Sequence, residues 1–418
     1  MIRPVVGTIA TRIVVAVANL LVVVATARQL GLEAVGTIAL VVLAISFILL
    51  LTNIIGGSGL VYLTPRHGAD ALRWPSYLWC VLVCIASWPL LKELRAVPAH
   101  LVVHTVFLAV LQGISNTHFG LLLGRERYGV HNALQVLQAV LVLVALLVLL
   151  RVEGPALMDY VHALYIGHAT TALLSGLFSA ERRTNPRTPG HPIADLLRQG
   201  LPAQAANGLQ LLNYRLAYYF VQRWSGASAL GMFSITTQLA ESTWLGPKSL
   251  GAVLYARISN VQDLERQRLL TLTVLKLSVG LALAAIAVLL AVPDKLYAWL
   301  FSPGVSGIAR IVLWMAPGLI AMSASQAFSH YLSGTGRVHH NTIGSGIGVL
   351  ATAGLGAWLI PHYGVTGAAI TASAAYTTSV VYQAIVFNRV TGSTLRDHLP
   401  TMGDYERIRT LLDRLLGR

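Results

Sequence analysis

The sequence predicts an all-α polytopic membrane protein: twelve transmembrane helices in two pseudo-symmetric six-helix bundles. Three observations lead there. Hydrophobic residues make up 55% of the 418-residue chain and charged residues only 11%, against roughly 25% charged in an ordinary soluble domain. A soluble fold must keep a largely polar exterior, so that much apolar side chain has nowhere to go in water. The apolar residues run in unbroken stretches of about 20, the length of a membrane-spanning helix, whereas a transmembrane β-barrel alternates over about 10. Finally, a short motif recurs half a chain length on. A single soluble domain, a disordered chain and a disulfide scaffold are excluded. The two cysteines, Cys80 and Cys84, share one apolar run at neither redox nor zinc spacing and read as small packing residues.

Windows of about 19 residues place the spans near 5–27, 34–60, 72–91, 99–123, 128–150, 157–180, 199–222, 229–256, 269–292, 309–332, 341–360 and 366–388. The first follows Arg3, exceeds a signal-peptide core and lacks a small-residue cleavage pattern, so it is expected to stay in the mature protein. No interval is long enough for a soluble domain. The expected organisation is an N-terminal bundle over 1–180, a cytoplasmic linker over 181–198, a C-terminal bundle over 199–389 and a cytoplasmic tail over 390–418. The linker carries three of the sixteen prolines. In the tail, Ile408, Leu411, Leu412, Leu415 and Leu416 share one face, as in an amphipathic helix on the membrane surface or against a partner.

A net charge of +14 would point to nucleic acid in a soluble chain; in a membrane protein it orients the helices, and no nucleic-acid partner is expected. With the N-terminus inside, nineteen Lys and Arg fall on the cytoplasmic side and seven opposite. Both termini are therefore expected in the cytoplasm. The remaining four, Arg12, Arg215, Lys248 and Lys276, lie within spans.

Residues 28–36 read RQLGLEAVG and residues 223–231 read RWSGASALG. At an offset of 195, Arg28, Gly31, Ala34 and Gly36 match Arg223, Gly226, Ala229 and Gly231. Both copies join the first two spans of a six-span block, as in parallel repeats related by an axis along the membrane normal. Such halves are expected to enclose a cleft that opens alternately to either side.

The first-loop pattern R-x-L-G-x-x-x-x-G resembles that of polysaccharide-type flippases of the multidrug/oligosaccharidyl-lipid/polysaccharide exporter superfamily. So do GLPAQAANGLQLLNYRLAYYF with SALGMFSITTQLAE at 200–241, and SGTGRVHHNT with LIPHYGVTGAAITASAAY at 333–376. The likeness covers nearly the whole chain through soft motifs of small residues and turn glycines. It implies flipping of an undecaprenyl-diphosphate-linked oligosaccharide across the bacterial inner membrane for surface polysaccharide export. Multidrug antiporters of the superfamily usually carry an acid deep in the first span; Arg12 and no acid stand there. The lipid II flippase branch usually has fourteen spans.

At about 100° per residue, Thr8, Arg12, Asn19 and Thr26 fall within about 40° of one another, a polar stripe along the first span. In the seventh span Gln204, Asn207, Arg215, Tyr218 and Gln222 lie within about 80°. A guanidinium keeps its charge and presents a planar fork suited to phosphate, so Arg12 and Arg215 are candidates for an anionic substrate group. Snorkelling is the bland reading of Arg12, and an internal structural partner that of Arg215. Gln238, Glu241 and Lys248 share a face of the eighth span, with Pro247 loosening the helix there. Three roles stay open for Glu241: pairing with Arg215, binding the proton or Na+ that couples transport, or a local structural part. The candidate substrate-binding residues are thus Arg12, Asn19, Arg215, Tyr218, Gln222 and Lys248, with Glu241 the ion-coupling candidate.

His104, His118, His131, His162, His168 and His330 lie in or near spans without metal-ligand spacing and read as interior hydrogen-bonding groups, with a proton relay the alternative. Gly344, Gly346, Gly348, Gly354 and Gly356 in the eleventh span read as close helix packing ahead of a hinge. No Walker A or dinucleotide fingerprint occurs, so no cofactor and no direct use of ATP is expected. Expected partners are the lipid-linked oligosaccharide, membrane lipid, a coupling H+ or Na+, and a polysaccharide polymerase or export machinery. Alternatives are a cation-coupled multidrug antiporter of the same superfamily and, from another class, a membrane glycosyltransferase or polysaccharide polymerase. The latter generally needs a sizeable extramembrane domain.

Overall fold

The computed structural model describes residues 2–152, 155–180 and 192–399. Helix dominates and the described residues contain no strand, as expected where lipid offers the backbone no hydrogen-bond partner and each span must satisfy its own amides. The helices are α1 (Ile2–Thr52), α2 (Gly57–His67), α3 (Ala69–Glu93), α4 (Val102–Gly124), α5 (Tyr128–Val152) and α6 (Leu157–Ser179) in the first half. The second half holds α7 (Pro192–Ser242), α8 (Leu245–Ile258), α9 (Leu264–Ala291), α10 (Asp294–Leu300), α11 (Ile308–Gly334) and α12 (His339–Thr391).

Three of these helices bend. α1 turns at Gly31 (φ 81°, ψ 177°), α7 at Gly226 (φ 83°, ψ 177°) and α12 at Gly364 (φ 54°, ψ −131°). Counting the legs on either side of each bend, taking α2 and α8 as continuations of the legs before them and leaving out the seven-residue α10, gives the twelve-span topology. Gly31 and Gly226 are the repeat glycines, and their backbone angles agree within a few degrees. A second correspondence lies at the turns after α4 and α11, at an offset of 210. Arg125, Glu126 and Arg127 donate their amides to Leu121, Leu123 and Leu122; Thr335, Gly336 and Arg337 donate theirs to Tyr331, Ser333 and Leu332.

Among the described residues, seven stretches are long and apolar enough to cross a membrane, including Ala10–His67 at a mean hydropathy of 2.9 and Tyr128–Val152 at 2.8. α6 and α7 fall outside that set because they carry polar groups inward: Asp159 and His168 on α6 are buried, as are Gln204 and Asn213 on α7.

Span boundaries depart from expectation at three places. α7 starts at Pro192, seven residues before the expected seventh span, with Asp195 in its first turn, where carboxylates favour the helix dipole. The eighth span is interrupted at Thr243–Trp244, because Pro247 has no N–H to return to residue 243; the helix resumes with Lys248 N–H bonded to the Trp244 carbonyl at 2.8 Å. The second span breaks likewise at Asn53–Ile55 before Gly57 (φ 49°). The interval after the ninth span, expected as loop, contains α10. The amphipathic helix expected within 407–416 and most of the linker lie outside the described residues.

The chain divides into two compact units. The first comprises Met1–Gly208, Ser225–Ser234 and Tyr297–Ser306, the second Leu209–Trp224, Ile235–Leu296 and Gly307–Arg418. In the first, a core of Ile55, Leu60, Leu63, Leu72, Leu121 and Leu196 joins α2, α3, α4 and the start of α7. The Tyr297–Ser306 segment is pinned by Arg28, whose guanidinium donates to the Trp299 carbonyl and lies 5.1 Å from that residue's ring centroid. In the second unit the glycines of α12 divide by role. A Cβ on Gly348 would lie 2.4 Å from Asn213 Oδ1 and one on Gly356 2.6 Å from the Phe220 ring, so these admit close helix approach, whereas Gly346 and Gly354 have open space.

Candidate functional site: a buried ion pair in the second unit

Arg215 sits on the second-unit segment of α7, and Glu241 lies beyond the Gly226 bend, one residue before that helix ends. The bend folds α7 back on itself and brings together two residues 26 positions apart. Their contact is bidentate: Nη1 to Oε1 at 2.5 Å and Nη2 to Oε2 at 2.8 Å. The side chains are 25% and 21% exposed, so the pair is mostly removed from solvent yet reachable. A planar fork meeting a carboxylate in two parallel bonds is the strongest side-chain arrangement available to either group.

Aromatic rings wall the pair. The Arg215 guanidinium carbon lies 5.1 Å from the Tyr218 ring centroid, within cation–π range. Tyr214, one residue before Arg215, packs at 5.8 Å on Trp244 and edge-on at 5.6 Å on Tyr376 of α12, and Trp244 meets Tyr376 at 5.8 Å. The Trp244 indole donates to the Leu319 carbonyl at 3.3 Å, and Gln210 donates to the Tyr214 hydroxyl at 3.1 Å. Exposed Lys248 reaches within 5.7 Å of the Trp244 ring centroid. These apolar walls lower the local dielectric, which strengthens the ion pair and makes separation without a replacement partner unfavourable.

The sequence-selected residues are distributed as follows. Arg215, Tyr218, Gln222, Glu241 and Lys248 all belong to the second unit. Tyr218 is buried, and Gln222 Oε1 is buried without a hydrogen-bond partner. Gln204 and Asn207, read on the same stripe, belong to the first unit, where Asn207 donates to Gln204 at 3.4 Å. On α1, Thr11, Ala18 and Val22 form the buried face; Arg12 and Asn19 are exposed beside it, and Ile13, Val14, Val17 and Leu21 form an exposed apolar arc. The stripe does not reach Thr26, which is buried and donates its hydroxyl to the Val22 carbonyl at 2.8 Å; the Thr8 side chain lies outside the description. Tyr376 and Trp244 escaped sequence reasoning. Trp244 stands three residues after Glu241 and was legible by spacing; Tyr376, on a distant helix, left no signal.

Five of the six singled-out histidines are hydrogen-bonded inside the helices: His104 to Tyr165, His118 to Tyr77 and Ser175, His131 to Asn132, His168 to Gln112 and His330 to the Gln326 carbonyl. His162 is exposed. Among the described residues no group of three or more His, Cys, Asp or Glu converges as a metal site.

No family model matches the chain, and no curated protein matches it by sequence. Solved structures do match. An inward-facing multidrug-resistance MATE transporter of the MOP superfamily superposes with a TM-score of 0.74 at 16% identity, over 90% of this chain and 94% of the other. The lipid II flippase MurJ in an inward closed conformation gives 0.74 at 14% identity, over 95% and 89%. An outward-facing MATE transporter gives 0.66 at 17%, over 94% and 95%. At these identities the likeness establishes architecture, and the chain has the membrane-transporter fold that the MATE proteins and the lipid II flippase share.

Proposed function

We propose that this protein flips a lipid-linked oligosaccharide, typically an undecaprenyl-diphosphate-linked repeat unit, across the bacterial inner membrane by alternating access, for surface polysaccharide export. Both termini are in the cytoplasm in this reading. The moving bodies are the bundles over 1–180 and 199–389, joined by the linker 181–198. The supporting observation is the bidentate, aromatic-walled Arg215–Glu241 pair on a fold that solved transporters and a lipid flippase share.

A guanidinium fork that fits a carboxylate also fits a phosphate. An arriving diphosphate therefore competes with Glu241 for Arg215, exchanging one charge-assisted pair for another rather than stripping a buried cation. A proton or Na+ on Glu241 neutralises the displaced carboxylate, and its loss restores the pair and releases the substrate. Lys248, Tyr218 and Gln222 supply a further charge and polar contacts, and Arg12 with Asn19 a polar stripe on the first span. The polyprenyl tail stays in lipid.

In cells lacking the protein, an undecaprenyl-diphosphate-linked oligosaccharide should accumulate on the cytoplasmic leaflet. Arg215→Ala should reproduce that state with the protein inserted and abundant, and Arg215→Lys should retain partial export. Normal export by Arg215→Ala overturns the reading.

One observation favours a second reading, a cation-coupled small-molecule antiporter. A carboxylate enclosed by Tyr214, Tyr218, Trp244 and Tyr376 also suits an organic cation. Efflux of a fluorescent organic cation that Glu241→Gln abolishes, with no lipid-linked intermediate accumulating, would select it.

A further inference from the structure

We propose that Tyr77, His118 and Ser175 form a proton-operated switch in the first unit, so that protonation of His118 drives α3 away from α4 and α6. The proposal rests on the transporter reading above, to which it adds a second ionisable device, separate from Arg215 and Glu241.

His118 of α4 is 3% exposed and uses both ring nitrogens. Nε2 meets the Tyr77 hydroxyl of α3, and Nδ1 lies 2.8 Å from Ser175 Oγ of α6. The Ser175 hydroxyl donates to the Ala172 carbonyl at 3.2 Å, so Ser175 accepts from Nδ1–H. That leaves Nε2 as an acceptor for the Tyr77 O–H, and the proton positions form a directed chain across three helices. The neutral imidazole is satisfied, and Nε2 is where an added proton goes. Once it arrives, Tyr77 must turn its own proton away and become an acceptor.

The surroundings give that event a direction. Ionisable groups facing the ring come from α3: Tyr77 itself and Arg73, one turn before it. Arg73 donates to the Ser179 carbonyl at 2.6 Å, its buried Nε has no partner, and Asp70 stands 3.7 Å away. α6 presents Ser175, Gly176 and the Ala172 carbonyl, none of them ionisable. On α5, His131 packs against Phe119 at 5.1 Å; on α2, His67 pairs with Asp195 of α7 at 2.9 Å. A second positive charge at His118 therefore meets Arg73, whose own carboxylate neighbour, Asp70, is more than half exposed, while the imidazole itself bonds to the Tyr77 and Ser175 hydroxyls, in a medium that screens poorly.

The imidazole has no room to retreat toward α6, where a Cβ on Gly176 would already lie 3.2 Å from its Cε1. α3, by contrast, has a built-in bending point: Pro75, between Arg73 and Tyr77, gives no N–H to the residue 71 carbonyl. The element free to move is α3.

The test uses the full chain in liposomes, with nitroxide labels at Leu78→Cys on α3 and Leu173→Cys on α6. Those sites are 63% and 65% exposed, while the native cysteines are buried. Between pH 8 and pH 3 the label-to-label distance distribution should shift toward longer separations. His118→Gln keeps a neutral hydrogen-bonding side chain and should abolish the shift. Tyr77→Phe removes the donor that favours the neutral ring and should move the midpoint to higher pH. No shift in the otherwise native chain, or an unchanged midpoint in His118→Gln, overturns the proposal. A shift lost in His118→Gln while Arg215→Ala still exports normally supports the switch and overturns the transport reading instead.

Discussion

Gly36 and Gly231 touch backbone to backbone and do so reciprocally. A Cβ on Gly36 would lie 1.9 Å from the Ala227 carbonyl oxygen, and one on Gly231 would lie 2.0 Å from that of Leu32. Both the pair of glycines and the pair of carbonyls are 195 positions apart, so within the first unit each copy of the motif packs on the other as its mirror in sequence. Substituting either glycine by Ala should force the helices apart and destabilise by about 1–3 kcal/mol, with similar values at the two sites. Thermal unfolding in detergent checks this, with Gly346→Ala, where a Cβ meets nothing within 4 Å, as the harmless control.

Gly31 and Gly226 should respond through a different mechanism. Neither has an atom within 4 Å of a built Cβ, so space is not the constraint. Their φ of 81° and 83° with ψ near 177° is a region that essentially only glycine occupies. Ala at either bend should cost about 1–3 kcal/mol from backbone strain alone. Because no side chain is involved, no second-site cavity should rescue it, which a paired Gly36 or neighbouring small-residue variant would show.

Arg215 and Glu241 should behave as one unit. Removing either leaves the other charged and mostly buried, costing about 3–5 kcal/mol in a fully buried pair and less here, where about a quarter of each side chain is open. Arg215→Ala/Glu241→Ala should therefore be far less damaging than the two single changes added together, with a coupling of about 1–3 kcal/mol in a double-mutant cycle of unfolding. Additive losses would mean that the two groups do not stabilise each other.

The spans were legible because bilayer thickness writes itself into the length of apolar runs, and the repeat because one backbone conformation demands glycine at 31 and again at 226. Arg215 and Glu241 announced themselves as charges at mid-span, where lipid tolerates few. Their pairing depended on the fold-back at Gly226, which sequence marked as a turn without fixing its angle. The Thr26 hydroxyl misled for a related reason: helical spacing places a residue on a face but does not reveal that its proton is already donated to Val22, one turn back. Tyr376 was invisible, since packing on Tyr214 across more than 160 residues leaves no local pattern.

The C-terminal end of α12 should loosen in acid. After Gly392, Asp397 Oδ2 accepts from the Thr394 amide at 2.8 Å and its hydroxyl at 3.1 Å, and meets Arg268 Nη2 of α9 at 3.0 Å. The Thr394 N–H first, and the Arg268 guanidinium after it, hold this carboxyl below the ordinary Asp range. A depressed carboxylate contributes stability that is fully present above its unfolded value, about 3.9, and lost as pH falls through the folded value. The clasp should thus be intact at neutral pH and open only in strong acid. Amide hydrogen exchange over residues 392–399 reads it directly. Asp397→Asn should exchange faster than the native chain at pH 7, and the difference should close once the pH drops below the folded value. A gap that persists there would assign the clasp to the Thr394 turn rather than to the carboxylate charge.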